Sequence, residues 1–141
     1  MPEPKAAVPF FNFAPLQNAL AALKKSAAAY DEARKKARLK GEQQAALNQA
    51  LMGMEQQLIR DHGLPRRPWY KHHIYAPGFY TGYGVKTLPG VREAIEERKY
   101  EEAQDQVIIL SEVLAGFAQH IDKATVLLQQ GLDVETASDK K

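Results

Sequence analysis

The sequence predicts an all-α fold: an up-and-down helical bundle of about four helices with an irregular insertion, rich in proline, glycine and aromatic residues, in which a short hairpin fits. Three observations lead there. Apolar residues recur at spacings of three and four through 15–40, 47–58 and 101–130, the pattern of helices that bury one face. Between Gly63 and Gly90 that period stops, and four of the eight prolines and six of the twelve aromatic residues collect there. At 141 residues the chain has the size of one ordinary domain, large enough to bury its own core.

Residues 1–14 read as a linker, because Pro2, Pro4 and Pro9 interrupt any continuous apolar core of a secretory signal. The first helix spans Pro15 to Lys40. Pro15 suits a first helical turn, and Leu16, Leu20, Leu23, Ala27, Tyr30 and Ala33 or Ala37 form its stripe. Gly41 punctuates it. Leu47, Leu51, Met54 and Leu58 then mark a second helix that stops near His62 and Gly63, giving a helical hairpin. Pro65, Pro68, Pro77 and Pro89 exclude a long helix through the insertion. Trp69 to Ala76 has strand-like composition, and Gly78, Gly82 and Gly84 permit tight turns. A sheet this small needs helices to support it, so the insertion is expected to pack across one end of the bundle.

Pro89 and Gly90 introduce a short helix, VREAIEERKY, whose exposed face is read as carrying Arg92, Glu93, Glu96, Glu97 and Arg98. The last helix runs from about Glu101 to Gln130. Val107, Leu110, Leu114, Phe117, Ile121, Ala124 and Leu128 alternate spacings of three and four along it, as in a bundle seam. Ile108, Ile109, Val113, Val126 and Leu127 lie off that seam, so the helix is either central or shared with another subunit. Residues 15–131 thus form the domain, and 132–141 a polar, flexible tail.

Composition excludes several function classes. Nineteen Lys and Arg against 17 Asp and Glu leave a net charge of +2, too little for the footprint of a nucleic-acid binder. The basic run Arg34 to Arg38 with Lys40 reads as a solvated helix end that opposes the macrodipole. Arg66, Arg67 and Lys71, which sit beside aromatics that could stack on bases, share the weaker nucleic-acid reading. The longest aliphatic run, Val107 to Leu110, is far short of the roughly 20 residues of a membrane span. Cysteine is absent, which removes disulfides and thiolate chemistry and leaves the compartment open.

No catalytic site is visible. Ser26, Ser111 and Ser138 have neither a nucleophile elbow nor a local base, and glycines 78, 82 and 84 form no phosphate loop. His62, His72 and His73 lack metal-site spacing, since adjacent histidines in an extended segment point to opposite faces. They read as hydrogen-bonded residues that fix the loop. Trp69, Tyr75 and Phe79 are expected to close the end of the bundle. Tyr80 and Tyr83, set among glycines, are expected at the surface, facing a ligand or a partner.

The run Gly63-Leu64-Pro65-Arg66-Arg67-Pro68-Trp69-Tyr70-Lys71-His72-His73-Ile74-Tyr75-Ala76-Pro77, with Pro89-Gly90 and a helix eleven residues later, closely resembles the transferrin receptor-like dimerisation domain. This is the C-terminal helical domain of the glutamate carboxypeptidase II and transferrin receptor family, and the resemblance spans roughly residues 15 to 130. It implies a domain that follows a zinc-dependent peptidase domain and helps two subunits form a homodimer. The implied partners are therefore a second copy and the preceding peptidase domain of the same protein. The zinc ions and the catalytic glutamate belong to that preceding domain, so this chain would hold no cofactor, hydrolyse nothing alone, and be part of a larger protein.

In the carboxypeptidase branch a Lys-Tyr pair of this domain holds the carboxylates of a C-terminal glutamate, for which an ammonium and a phenol are suitable donors. Aligning Ala76-Pro77 and Pro89-Gly90 without gaps puts that pair on Gly82 and Tyr83. Tyr83 keeps the phenol, while Gly82 lacks the ammonium, a loss on the order of 1.5 to 3 kcal/mol in carboxylate binding. Lys86 lies close enough in sequence to supply a substitute cation. The receptor branch retains the domain without catalysis. Leu114, Phe117 and Ile121 on the last helix are the expected dimer or interdomain contact. Two other readings stay open: a domain that completes an active site with little part in assembly, and an independent helical adaptor.

Overall fold

The computed structural model describes residues 7–138, with side chains as far as Gly131. The chain folds into helices α1 (Ala14–Lys36), α2 (Glu42–Met52), α3 (Pro89–Glu96) and α4 (Tyr100–Ser138), with a 3-10 turn at Glu55–Leu58. Strands β1 (Tyr75–Pro77) and β2 (Val85–Thr87) pair antiparallel, Ala76 opposite Lys86. The insertion is thus mainly turns and one short hairpin, and Trp69 to Ile74 stay outside the strand.

Helix α4 is the axis on which α1, α2 and α3 all pack. Leu16, near the start of α1, joins the cluster of Val91, Val107 and Leu110, and Ala33, near its end, joins Leu47, Ala124 and Leu128. The two long helices therefore run parallel. The residues of α1 that are buried are Ala19, Ser26 and Ala33, seven apart on one face; small side chains bring the backbones close. The leucine stripe falls on the flank of this contact, which leaves Leu20 44% exposed. Helix α2 returns antiparallel to α4: Leu47 meets Ala124 and Leu128, and farther along α2 the Ala50 carbonyl pairs with His120 Nε2 at 2.8 Å. The order is up, down, up.

Four helix ends differ from the periodicity: α1 stops at Lys36, short of Lys40, and α3 at Glu96, short of Tyr100, and the ends of α2 and α4 differ as well. Helix α2 stops at Met52 with Gly53 as its cap, and the chain tightens into the 3-10 turn instead of continuing toward His62. Glycine is a poor helix former, and at Gly53, which stays right-handed at φ −82, this outweighs the apolar spacing of Met54 and Leu58. Helix α4 continues to Ser138, beyond Gln130. Of the expected linker, residues 7–13 are non-helical. Phe11 meets Tyr100 edge-on at 6.0 Å, and the Asn12 amide donates to Gln104 Oε1 at 2.9 Å, so this stretch is fixed to the start of α4. Residues 1–6 and 139–141, the outer parts of the expected linker and tail, lie outside the described residues.

The core is split. One cluster lies under α2 and another under α3. Between them Leu114 and Phe117 on α4 and Leu23 on α1 are only half-buried, beside exposed Leu20. With Leu16 near Leu110 and Leu114 at one end, and Tyr30 near Ala124 at the other, the parallel register puts Leu20 and Leu23 at about the level of Phe117 along the bundle. Partly exposed apolar side chains thus run along the α1 and α4 pair between α2 and α3 as an apolar trough, in a stretch where the 3-10 turn also packs on α4.

Candidate functional site: a tyrosine loop and an apolar trough

The loop is held from below by charge. Gly63 turns the chain at φ 66, and a Cβ there would stand 2.3 Å from the Pro68 carbonyl oxygen, so only glycine fits. Beyond this turn Arg67 runs into the interior at 2% exposure and forms an ion pair with Glu93 of α3, itself 8% exposed. The same guanidinium donates to the Pro77 carbonyl, and the second Glu93 oxygen accepts the Phe79 amide at 2.8 Å. Two charges out of water are costly unless their remaining hydrogen-bonding capacity is used. Here most of that capacity goes to the backbone at the root of the 78–84 loop, while Arg67 Nε is buried without a partner.

This corrects two expectations. Glu93 is not on an exposed face, and Arg67 is not available to nucleic acid. Helical periodicity could not reveal the pair, because Arg67 lies in an irregular segment and Glu93 faces the insertion, not the bundle. A third correction concerns the rings: Trp69, Tyr75 and Phe79 are 69%, 50% and 38% exposed, so they do not close the end of the bundle. Strand alternation turns Ala76 inward at 3% exposure and Tyr75 outward. Leu64, Arg67 and His73 are buried in their place.

Above its root the loop closes on itself. Gly78 donates to the Gly84 carbonyl at 2.8 Å, Gly82 donates to the Gly78 carbonyl at 3.1 Å, and Gly82 takes φ 62. Tyr83 stands at the tip, fully exposed at 102%, with Tyr80 at 78%. Phe79 and Tyr80 meet edge-on at 4.8 Å, and the Arg66 and Arg67 guanidinium groups lie 5.8 and 5.6 Å from the Phe79 ring centre. The loop is therefore built to present phenols on a fixed base.

Lys86 is occupied. Its ammonium donates to both Glu96 oxygens at 3.0 and 2.8 Å, while Arg92 Nε donates to Glu96 at 3.0 Å. The hydrogen bond from Lys86, followed by that from Arg92, holds the Glu96 carboxyl below its ordinary range. A cavity of about 240 Å³ opens between Phe79, Tyr80, Thr81 and this pair. Neighbouring Glu97 meets Arg66 at 3.3 Å and Lys99 at 2.6 Å, and Arg66 also reaches Glu102 at 2.8 Å. Glu93 and Glu96 of α3, with Glu97 just after it and Glu102 of α4, thus anchor Arg66, Arg67 and Lys86 of the insertion.

His72 accepts the Ile74 and Tyr75 amides on Nδ1 at 3.2 and 3.3 Å, a loop-fixing role. His73 is 4% exposed, and burial, with Arg60 and His72 nearby, pushes its imidazole below its ordinary value. Among the described residues no three His, Asp or Glu side chains converge as a metal site would require, and no helix is long and apolar enough to cross a membrane. On α4, Leu114 packs against the cluster under α3, Phe117 is half-buried in the trough, and Ile121, at 6% exposure, faces inward.

The transferrin receptor-like dimerisation domain model matches residues 11–122. A probable glutamate carboxypeptidase of Arabidopsis thaliana is 51% identical over 53 residues, 38% of this chain and 8% of that protein. A probable glutamate carboxypeptidase of Arthroderma benhamiae is 53% identical over 34 residues, 24% of this chain and 5% of that protein. The matched segments span less than a tenth of these relatives. The family match, by contrast, runs from the Phe11 contact through the insertion and most of α4, covering the trough and the loop together: the chain belongs to the transferrin receptor-like dimerisation domain family, found in glutamate carboxypeptidase-like proteins.

Proposed function

We propose that this chain is the homodimerisation domain of a glutamate carboxypeptidase-like zinc metallopeptidase, and that its 78–84 loop reaches the substrate pocket of the preceding peptidase domain. The observation that carries the assembly role is the trough. Leu20 is exposed and Leu23, Leu114 and Phe117 are only half-buried, and contiguous exposed apolar surface is what contact surfaces are made from. Phe117 is the aromatic anchor on which such a contact would centre. Ile121 contributes from behind, as part of the wall and not of the contact.

The loop role rests on Tyr83, fully exposed on a base fixed by Arg67 and Glu93. The phenol can donate one hydrogen bond to a carboxylate. With Gly82 lacking a side chain and Lys86 held by Glu96, Tyr83 has no adjacent uncommitted ammonium, so a glutamate side chain would be held less tightly than by a Lys-Tyr pair. Zinc belongs to the peptidase domain in this account, and no residue of this chain is assigned to it.

Leu20→Glu and Phe117→Glu, made in the peptidase-length protein, test the reading. Sedimentation is expected to show monomers for both variants, with the Tyr83→Phe protein still dimeric but weaker in KM. If the charged variants stay dimeric while Tyr83→Phe loses activity, the domain serves chiefly to complete the active site. Full activity and normal assembly in all three would reject both roles.

A further inference from the structure

At the end of the bundle remote from the loop, two adjoining cavities lie between α1, α2 and α4. The smaller one, about 100 Å³, is walled by Ala27, Leu51, Met54, Ile121 and Ala124 with Tyr30 and is almost wholly apolar. The larger one, about 340 Å³, shares Tyr30 and Leu51, has buried Leu47 and Leu128 in its wall, and carries Arg34, Gln44 and Asn48. Side by side they offer the two halves of a ligand site between bundle helices, an apolar recess and a larger, more polar cleft that carries Arg34.

The charge at the mouth selects among ligands. Gln44 and Asn48 bond to each other at 2.8 Å, and Lys35 is taken by Asp31 at 2.8 Å and Glu32 at 3.0 Å. Among the described residues, Arg34 has no hydrogen bond or ion pair, and neither do Lys36 and Lys40 on the flanking chain. A guanidinium is a planar donor suited to carboxylate. Such a group at the rim of an apolar cleft complements a molecule with a hydrocarbon body and an anionic head.

We infer that this groove binds a small amphiphilic carboxylate, its hydrocarbon part against Leu51 and Ile121 and its carboxylate on Arg34. The site is independent of the tyrosine loop and of peptidase chemistry.

Calorimetric titration of the 141-residue chain with octanoate, octanol and acetate tests this. Octanoate is expected to bind; octanol, lacking charge, and acetate, lacking the tail, are each expected to bind at least about tenfold more weakly. Arg34→Ala, at an exposed position where folding is not at risk, should weaken octanoate by about the same factor, and Arg34→Lys should restore part of it. Leu51→Trp, at a residue that lines both cavities, should weaken octanoate binding by filling them, with circular dichroism checking its fold. Absence of octanoate binding, equal affinity for octanol, or an unchanged Arg34→Ala titration would each overturn the assignment.

Discussion

Replacing Arg67 by Met keeps much of the side chain's length and removes its charge. Glu93 would then be left buried at 8% exposure with the Phe79 amide, and the Pro77 carbonyl would lose its donor. Removing one partner of a buried pair costs about 3–5 kcal/mol, a large fraction of the roughly 5–15 kcal/mol that holds a domain folded. For a chain of this size the melting temperature should fall by about 10–20 °C. Urea unfolding followed by circular dichroism gives the free energy, and hydrogen exchange at Phe79 shows whether the loop root opens first. Arg67→Met with Glu93→Met removes the stranded carboxylate and should recover about 1–3 kcal/mol of the loss. The recovery is incomplete because the Pro77 carbonyl and the Phe79 amide still lack partners. A single variant within about 1 kcal/mol of the parent chain, or a double variant less stable than the single one, would refute the clamp.

Other consequences follow from the same geometry. Burial, then Arg60 and His72, depress the His73 pKa below its ordinary 6.5. The unfolded chain therefore takes up the proton first, and stability should fall as pH drops below about 6.5, toward the folded value. His73→Phe should flatten that part of the profile, whereas any loss due to Glu96 lies below its ordinary 4.5. Gly63→Ala combines φ 66 with a 2.3 Å approach to Pro68 backbone and should cost more than about 2 kcal/mol by chemical denaturation. Tyr83→Phe, at a fully exposed position, should leave stability within about 0.5 kcal/mol, so any fall in parent peptidase activity would report recognition and not folding.

The helices were legible because burial on one face leaves a periodic trace in the residue types. What periodicity could not place is instructive. On α1 it favoured the leucines, but the face against α4 is Ala19, Ser26 and Ala33, since close parallel packing selects small side chains over large apolar ones. Gly53 ended α2 against the spacing of Met54 and Leu58, a local backbone preference outweighing pattern. In the insertion, glycine spacing pointed to an exposed turn around Tyr83, and the turn is there. The support beneath it was hidden: Arg67 and Glu93 are 26 residues apart, and a long-range charge pair has no periodic signature. Lys86 similarly looked available from its position in the chain, and only the fold shows it meeting Glu96.

The trough's role in assembly is the central claim, and the mass of this chain by light scattering across a concentration series tests it most directly. The account predicts a mass approaching twice 15.8 kDa as concentration rises, and a return to 15.8 kDa for Phe117→Glu. A monomer at every concentration, or a dimer indifferent to charge at Phe117 and Leu20, would contradict it.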